Sequence, residues 1–386
     1  METNDEMLLA EKYDTPLYVT DAGKIRERYG KLKGAFDRVY YSCKANTNMA
    51  ILKILRNEGS FADAVSVGEV LACLRAGFPE NRIMFTGTGV RNDELAFLAE
   101  KDVMINIDSC SELERLCTFA KKPLSLSFRL NPGVGAGHSE KTITGNKSSK
   151  FGMEEKVLKR AVNMAMQRGH EVKALHCHIG SGILSEEPFI RAAEILERLK
   201  EEMPVEFLDI GGGFGVPYKE DERELDILSL ANALRRIIKE PIAIEPGRYI
   251  VADSTVLLTR VNTIKSNGGR NFAQVDAGFN TLIRPAMYGS YHKVRLVGDS
   301  IGRMKKLYDV VGPLCESGDF LALDREMPEL REGDLLAIEN AGAYGYSMSS
   351  NYNSRPRAAE VMIEDGRDRL IRKRESYEDL FSKEVL

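Results

Sequence analysis

The chain has 386 residues, 43% hydrophobic and 29% charged, with a formal net charge of -4. That balance excludes a disordered or collagen-like chain, and the absence of a long basic run excludes an electrostatic footprint for nucleic acid or an anionic membrane. No stretch approaches about 18 uninterrupted apolar residues and the acidic opening METNDEMLLAEKYDTP has no apolar signal region, so a cytoplasmic protein with small-molecule partners is expected.

Taken in chain order, the first structural signal is PLYVT from Pro16, a short run with strand character. From Arg38 onward, β-rich runs alternate with amphipathic helical patterns at the spacing of βα units. The strand candidates are VYYSC from Val39, FADAV from Phe61, RIMFTG from Arg82, VMINID from Val103, LSLSFRL from Leu124, KALHCHIG from Lys173, EFLDIGG from Glu206 and PIAIEPG from Pro241. Two of the helices open on a serine followed three residues later by glutamate, Ser66 with Glu69 and Ser109 with Glu112, the signature of a capping box. Eight near-continuous apolar strands predict an α/β fold whose main domain is a (β/α)8 TIM-type barrel over residues 30–247, an open doubly wound sheet being the alternative.

Past Gly247 the pattern turns to period-two runs such as NFAQVDAG, KLYDVVG, DLLAIEN and AAEVMIE, broken by Gly, Pro and Asn. Residues 248–386, joined by 1–29, are therefore expected to form an antiparallel β domain that includes the N-terminal strand. Six cysteines are scattered without CxxC pairs, which argues against a disulfide framework or a zinc ribbon. Of these, Cys315 stands apart in the polar, glycine-bearing segment GPLCESGD.

Chemistry in such a barrel sits at the C-terminal ends of the strands. Lys44 ends the first strand, His178 and Ser181 follow the sixth, Gly211, Gly212 and Gly213 follow the seventh, and Glu245 ends the eighth. Each has a plainer reading as a solvated lysine, a packed histidine, a tight turn or a surface carboxylate, but all fall on one rim. His176 and His178 share a strand face and could bind a metal, although no third ligand cluster accompanies them, so no metal is expected. Glycines after strand seven let backbone amides approach a phosphate, and a carboxylate at the mouth of a buried strand needs a cationic partner. A ligand with a phosphate, a flat ring, a cationic nitrogen and a carbonyl for Lys44 is required, and pyridoxal 5'-phosphate has all four.

The segments YYSCKANTN, HCHIGSG, GGGFGVPY, EPGRY, DAGFNTLIRPAMYGSYH, GPLCESGDFLA and GAYGYSMSSNYNSRPRAAEV resemble, in that order, the motifs of the diaminopimelate decarboxylase family, in the alanine-racemase-like fold group of pyridoxal-phosphate enzymes. The resemblance implies decarboxylation of meso-2,6-diaminopimelate to L-lysine and carbon dioxide. By it, Lys44 carries the cofactor, His178 stacks on its ring, Glu245 pairs with the ring nitrogen, and Ser181, Gly211 to Gly213 and Tyr344 take the phosphate. It assigns Arg248, Arg284 and Tyr288 to substrate carboxylates, Glu316 to the distal ammonium and Cys315 to protonation of the α-carbon. It also implies a homodimer in which Cys315 and Glu316 reach the site from the neighbouring subunit. Without those motifs, a solvated Arg284 and ordinary packing of Tyr288 and Tyr344 would be the plainer readings.

One position departs from the family pattern. Gly182 follows HIGS where many members have glutamine, as in ornithine-type relatives. A decarboxylase of ornithine, arginine or a carboxylated polyamine is accordingly the alternative substrate reading. A racemase of this fold would have an arginine at the ring nitrogen, and a non-catalytic regulator would be expected to lose Lys44 or Cys315. The Gly133 to Gly152 segment, rich in Gly, Ser, Thr and Lys, is expected to act as a lid over the site.

Overall fold

The computed structural model describes residues 3–137, 144–146 and 148–385. It divides into two compact units: one comprises Arg26–Val216 and Arg223–Ile250, the other Met1–Ile25, Pro217–Glu222 and Val251–Leu386.

In the first unit eight parallel strands close into a barrel: Arg38–Ser42, Phe61–Ala64, Ile83–Phe85, Met104–Ile107, Ser125–Leu130, Glu171–Cys177, Phe207–Asp209 and Ile242–Ile244. Closure comes from pairing of the last strand with the first, Ala243 opposite Arg38 and Ile244 opposite Val39. All eight strands expected from the sequence are present, and the closed ladder removes the open-sheet alternative. The helices are stopped and started by local chemistry. Ser66 and Ser109 accept the amides of Glu69 and Glu112, while the two glutamates reach one residue further back than a capping box requires, to the Val65 and Asp108 amides. Gly59 and Gly77 end the helices after the first and second barrel strands, Met49–Glu58 and Val67–Ala76, in the left-handed conformation, a position glycine takes without a Cβ penalty.

The barrel interior is layered, as the period of two along a strand dictates. One layer is apolar, with Tyr40, Met84, Ala174, Phe207 and Ala243 forming a buried cluster against Phe61 and Met104. Two residues further along the strands the inward positions turn polar: Ser42, Asp63, Asn106, His176, Asp209 and Glu245, all buried. Buried polar groups are retained only when hydrogen-bonded or reserved for a ligand, so this second layer marks the functional end of the barrel.

The second unit is built on a nine-stranded sheet. The N-terminal strand Leu17–Asp21 lies inside it, antiparallel to Thr255–Leu258 and parallel to Ala359–Ile363. The sheet is mixed: besides that parallel pair, Phe272–Gln274 runs parallel to Asp309–Val311, and the remaining pairings are antiparallel. Strands Val294–Val297, Phe320–Pro328 and Arg367–Arg372 were not among the sequence candidates. Their burial patterns, such as fully or partly exposed positions throughout Arg367–Arg372, lack the clean alternation that reveals a strand. No helix among the described residues is long and apolar enough to cross a membrane. Residues 138–143 and 147 of the expected lid lie outside the described residues.

Candidate active site

Lys44 sits in a single 3-10 turn, Cys43–Ala45, immediately after the first barrel strand. The strand delivers it to the polar layer, where its Nζ lies 3.8 Å from Asp63 Oδ2. Asp63 also accepts a 2.7 Å hydrogen bond from Ser42, and burial together with the nearby Glu245 raises its pKa against the opposing pull of Lys44. The reason for an acid here is electrostatic: a lysine at the edge of a low-dielectric interior needs a counter-charge to stay in place.

His178, half-buried, follows the sixth strand, and its Nδ1 accepts the Gly212 amide at 3.0 Å. That bond leaves the ring proton for Nε2. Burial, then the Lys44 charge, holds the His178 pKa well below the usual histidine range, so the ring is neutral at physiological pH. A neutral flat ring is what stacking on an electron-poor heterocycle requires.

The glycines after strand seven are dictated by crowding. A Cβ on Gly212 would collide with the Glu245 carbonyl oxygen, and one on Gly211, whose φ is +71°, with the Cys177 carbonyl oxygen. Two of the three amides are committed within the barrel: Gly211 donates to Asp209 Oδ1 at 2.8 Å and Gly212 to His178. The triplet therefore serves first to bring the loop hard against the end of the eighth strand.

Glu245 is 2% exposed. Its Oε2 lies 3.1 Å from His176 Nε2, and its Oε1 has no hydrogen-bond partner among the described residues. Burial pushes this carboxyl up, but His176, which also hydrogen-bonds it, and the Lys44 charge outweigh it and hold the pKa below the ordinary value. A buried carboxylate with one oxygen unsatisfied is set to receive a cationic N–H. The pKa of the neighbouring Asp209 is pushed well up by burial and by Glu245. Arg248, also buried, donates to Ser181 Oγ at 3.0 Å. The barrel thus brings Lys44, His178, Ser181, Gly211 to Gly213, Glu245 and Arg248 to one end, and the chemistry of this set fits pyridoxal phosphate: an amine, a flat neutral ring, a glycine-lined turn and an orphaned carboxylate oxygen.

The β unit holds a second group. Arg284 starts the short helix Arg284–Tyr288 and is 2% exposed. Its guanidinium lies 5.7 Å from the ring centre of Tyr218 and 5.9 Å from those of Tyr288 and Tyr344, within cation–π range of all three. Tyr344 takes a left-handed φ of 58°, unusual for an aromatic residue and a mark of a constrained position. The plainer readings, a solvated arginine and ordinary aromatic packing, do not describe this cage. Cys315 is an exposed free thiol whose amide donates to Asn353 Oδ1 at 3.1 Å, and Tyr352 donates to Glu316 at 2.6 Å. Their loop is pinned by Asp319, which accepts the Leu314 and Phe279 amides, both at 2.7 Å.

Residues 22–252 match the family described as pyridoxal-dependent decarboxylase, pyridoxal binding domain. The chain is 50% identical to the diaminopimelate decarboxylase of Methanothermobacter thermautotrophicus over 97% of its own length and 93% of that protein. It is 40% identical to the Aquifex aeolicus diaminopimelate decarboxylase, covering 96% of this chain and 91% of the relative. The Helicobacter pylori diaminopimelate decarboxylase solved with L-lysine superposes with a TM-score of 0.94 at 36% identity, covering 98% of each chain. The chain belongs to the diaminopimelate decarboxylase family.

For a diaminopimelate decarboxylase, several residues of this geometry are absent from the sequence candidates. Asp63 beside Lys44, Asn106 beside His176, Asp209 below the glycine turn and Tyr218 in the arginine cage all line the two groups. The first three shared one available signal, a polar residue two positions after an apolar inward one in an otherwise buried strand. His176, read from the sequence as a packed histidine or a metal ligand, is fully buried and hydrogen-bonded to Glu245. It forms, with Asp209 and Glu245, a group whose potential ligand atoms lie within 4.8 Å of one another. Its hydrogen bonds to Asn106 and Glu245 account for both ring nitrogens.

Proposed function

We propose that the chain removes one carboxylate of meso-2,6-diaminopimelate, giving L-lysine and carbon dioxide in the closing step of lysine biosynthesis, with pyridoxal 5'-phosphate as cofactor. The observation that carries this reading is Glu245: a buried carboxylate with a free Oε1 at the same rim as Lys44 and His178. An arginine there, as a racemase would have, could not accept a ring N–H. When bound, pyridoxal phosphate supplies a sink for the electron pair left at the α-carbon as carbon dioxide departs.

The roles of the chain's own groups follow from their chemistry. Lys44 would hold the cofactor through its Nζ, and Asp63, 3.8 Å away, keeps that group in place at the rim. His178 covers one face of the ring, and Glu245 keeps the ring nitrogen protonated. Ser181, Gly213 and Tyr344 take the phosphate, Gly213 being the member of the triplet whose amide is not given to Asp209 or His178. Gly211 and Gly212 shape that turn. Arg248, Arg284 and Tyr288 hold substrate carboxylates, for which the guanidinium fork is suited. Glu316 faces the distal ammonium, and Cys315 delivers a proton to the α-carbon. The active form is a homodimer in which Cys315 and Glu316 act from the neighbouring subunit, consistent with their exposure in the single chain. The setting is cytoplasmic.

Incubation of purified protein with pyridoxal phosphate and meso-diaminopimelate should release carbon dioxide and L-lysine in equal amounts. Lys44→Ala should lower the rate at least about a thousandfold, as expected when a covalent-catalysis group is lost. Near-normal turnover by that variant would remove Lys44 from its assigned role.

A further inference from the structure

Behind Glu245 the barrel contains a buried hydrogen-bonded chain that the roles above leave unused. Asn106, on strand Met104–Ile107, places its amide Nδ2 2.9 Å from His176 Nδ1, and His176 Nε2 lies 3.1 Å from Glu245 Oε2. The three residues are 1%, 0% and 2% exposed. An amide nitrogen only donates, so Nδ1 of His176 accepts and the ring proton sits on Nε2, aimed at the carboxylate. A histidine that merely filled space would not need an amide on one nitrogen and a carboxylate on the other, and burying those three polar groups is costly unless the bonds are used.

We propose that Asn106 and His176 are positioning residues that grip Glu245 through Oε2, turn Oε1 toward the cofactor's ring nitrogen, and keep the negative charge on Glu245. The inference rests on the proposed pairing of Glu245 with that nitrogen. Asn106 sets the tautomer: with Nδ1 occupied by a donor, His176 offers one N–H to Glu245 without becoming a full imidazolium. The other titratable groups that interact with Glu245 include Tyr40, Lys44, Asp63, Cys177, His178 and Asp209, and among the described residues none of them is hydrogen-bonded to either nitrogen of His176.

The sharpest test is Asn106→Asp. A carboxylate at that position accepts a hydrogen bond from Nδ1–H, so His176 takes up a second proton from solvent, and the positive charge it gains beside Glu245 weakens the hold of Glu245 on a ring N–H. The midpoint of the pH-dependent visible absorbance of the bound cofactor should then move to lower pH by about one unit, and kcat should fall about tenfold with KM little changed, since one pKa unit is a tenfold change in protonation ratio. His176→Phe should loosen cofactor binding, read by fluorescence titration, and His176→Gln, which keeps an N–H for Glu245, should restore most of it. Thermal midpoints identify a variant that fails to fold, in which case the Asn106→Asp titration decides. An unmoved absorbance midpoint in folded Asn106→Asp, or equal behaviour of the Phe and Gln variants at position 176, would overturn the proposal. Borohydride fixation of the cofactor on Lys44 in the unaltered protein tests the underlying site reading separately: fixation with indifferent Asn106 and His176 variants defeats only this inference.

Discussion

Gly212 shows how tightly the site constrains single residues. Its φ is ordinary, yet a methyl group there would strike the Glu245 carbonyl oxygen and lie 3.5 Å from the His178 ring. Gly212→Ala should destabilise the fold by about 1–3 kcal/mol, the usual cost of overpacking, and displace both Glu245 and His178. A lower thermal midpoint together with weaker cofactor binding is the expected result; wild-type values of both would show that the turn relaxes freely. At this scale the sequence was informative where residue type and position coincide. Lys44, His178 and Glu245 are chemically unusual at strand ends and could be picked out by strand counting alone. Arg284 could not, because besides Tyr288 of its own helix it meets tyrosines from two distant segments, at positions 218 and 344, and no local pattern announces that meeting.

Among elements, the strands of the β unit are tied by a bidentate ion pair: Arg270 Nε and Nη2 donate to Asp309 Oδ2 and Oδ1 at 2.6 and 2.8 Å, joining neighbouring strands. The Arg270 hydrogen bonds hold the Asp309 pKa below its ordinary value. A carboxyl depressed in the folded state adds stability above its unfolded pKa, about 4, and loses that contribution as pH falls through the folded value. Asp309→Asn should therefore lower the thermal midpoint at pH 7, and the gap from the unaltered protein should close on acidification below about pH 4. A gap that stays constant down to pH 2 would mean that the pair does not contribute through its charge. The same unit shows why element prediction succeeded unevenly. The barrel strands are short apolar runs between capped helices, whereas Phe320–Pro328 and Arg367–Arg372 carry charges on both faces and are held by neighbours rather than by their own patterning.

Over the whole molecule, the decisive feature of organisation is that chain order and sheet order differ. Leu17–Asp21 precedes the barrel in sequence but forms an inner strand of the other unit's sheet, with Leu17, Tyr18 and Val19 buried. Removal of residues 1–21 should forfeit roughly 1.5–3 kcal/mol for each of those side chains and leave two strand edges unpaired. Such a protein should bind a hydrophobic dye and unfold at a markedly lower temperature; an unchanged melting curve would contradict the placement of the strand. The sequence suggested this strand by its period and residue types, but its neighbours, one parallel and one antiparallel, are set by tertiary pairing that no local window contains. Substrate choice is tested most sharply by comparing kcat/KM for carbon dioxide release from meso-diaminopimelate, ornithine, arginine and lysine by the purified protein with pyridoxal phosphate. A strong preference for meso-diaminopimelate is predicted, because Arg248, Arg284 and Glu316 are assigned to the two ends of that molecule. A preference for ornithine or arginine would contradict the account, retaining the fold and cofactor and giving Gly182 the significance it has in ornithine-type enzymes.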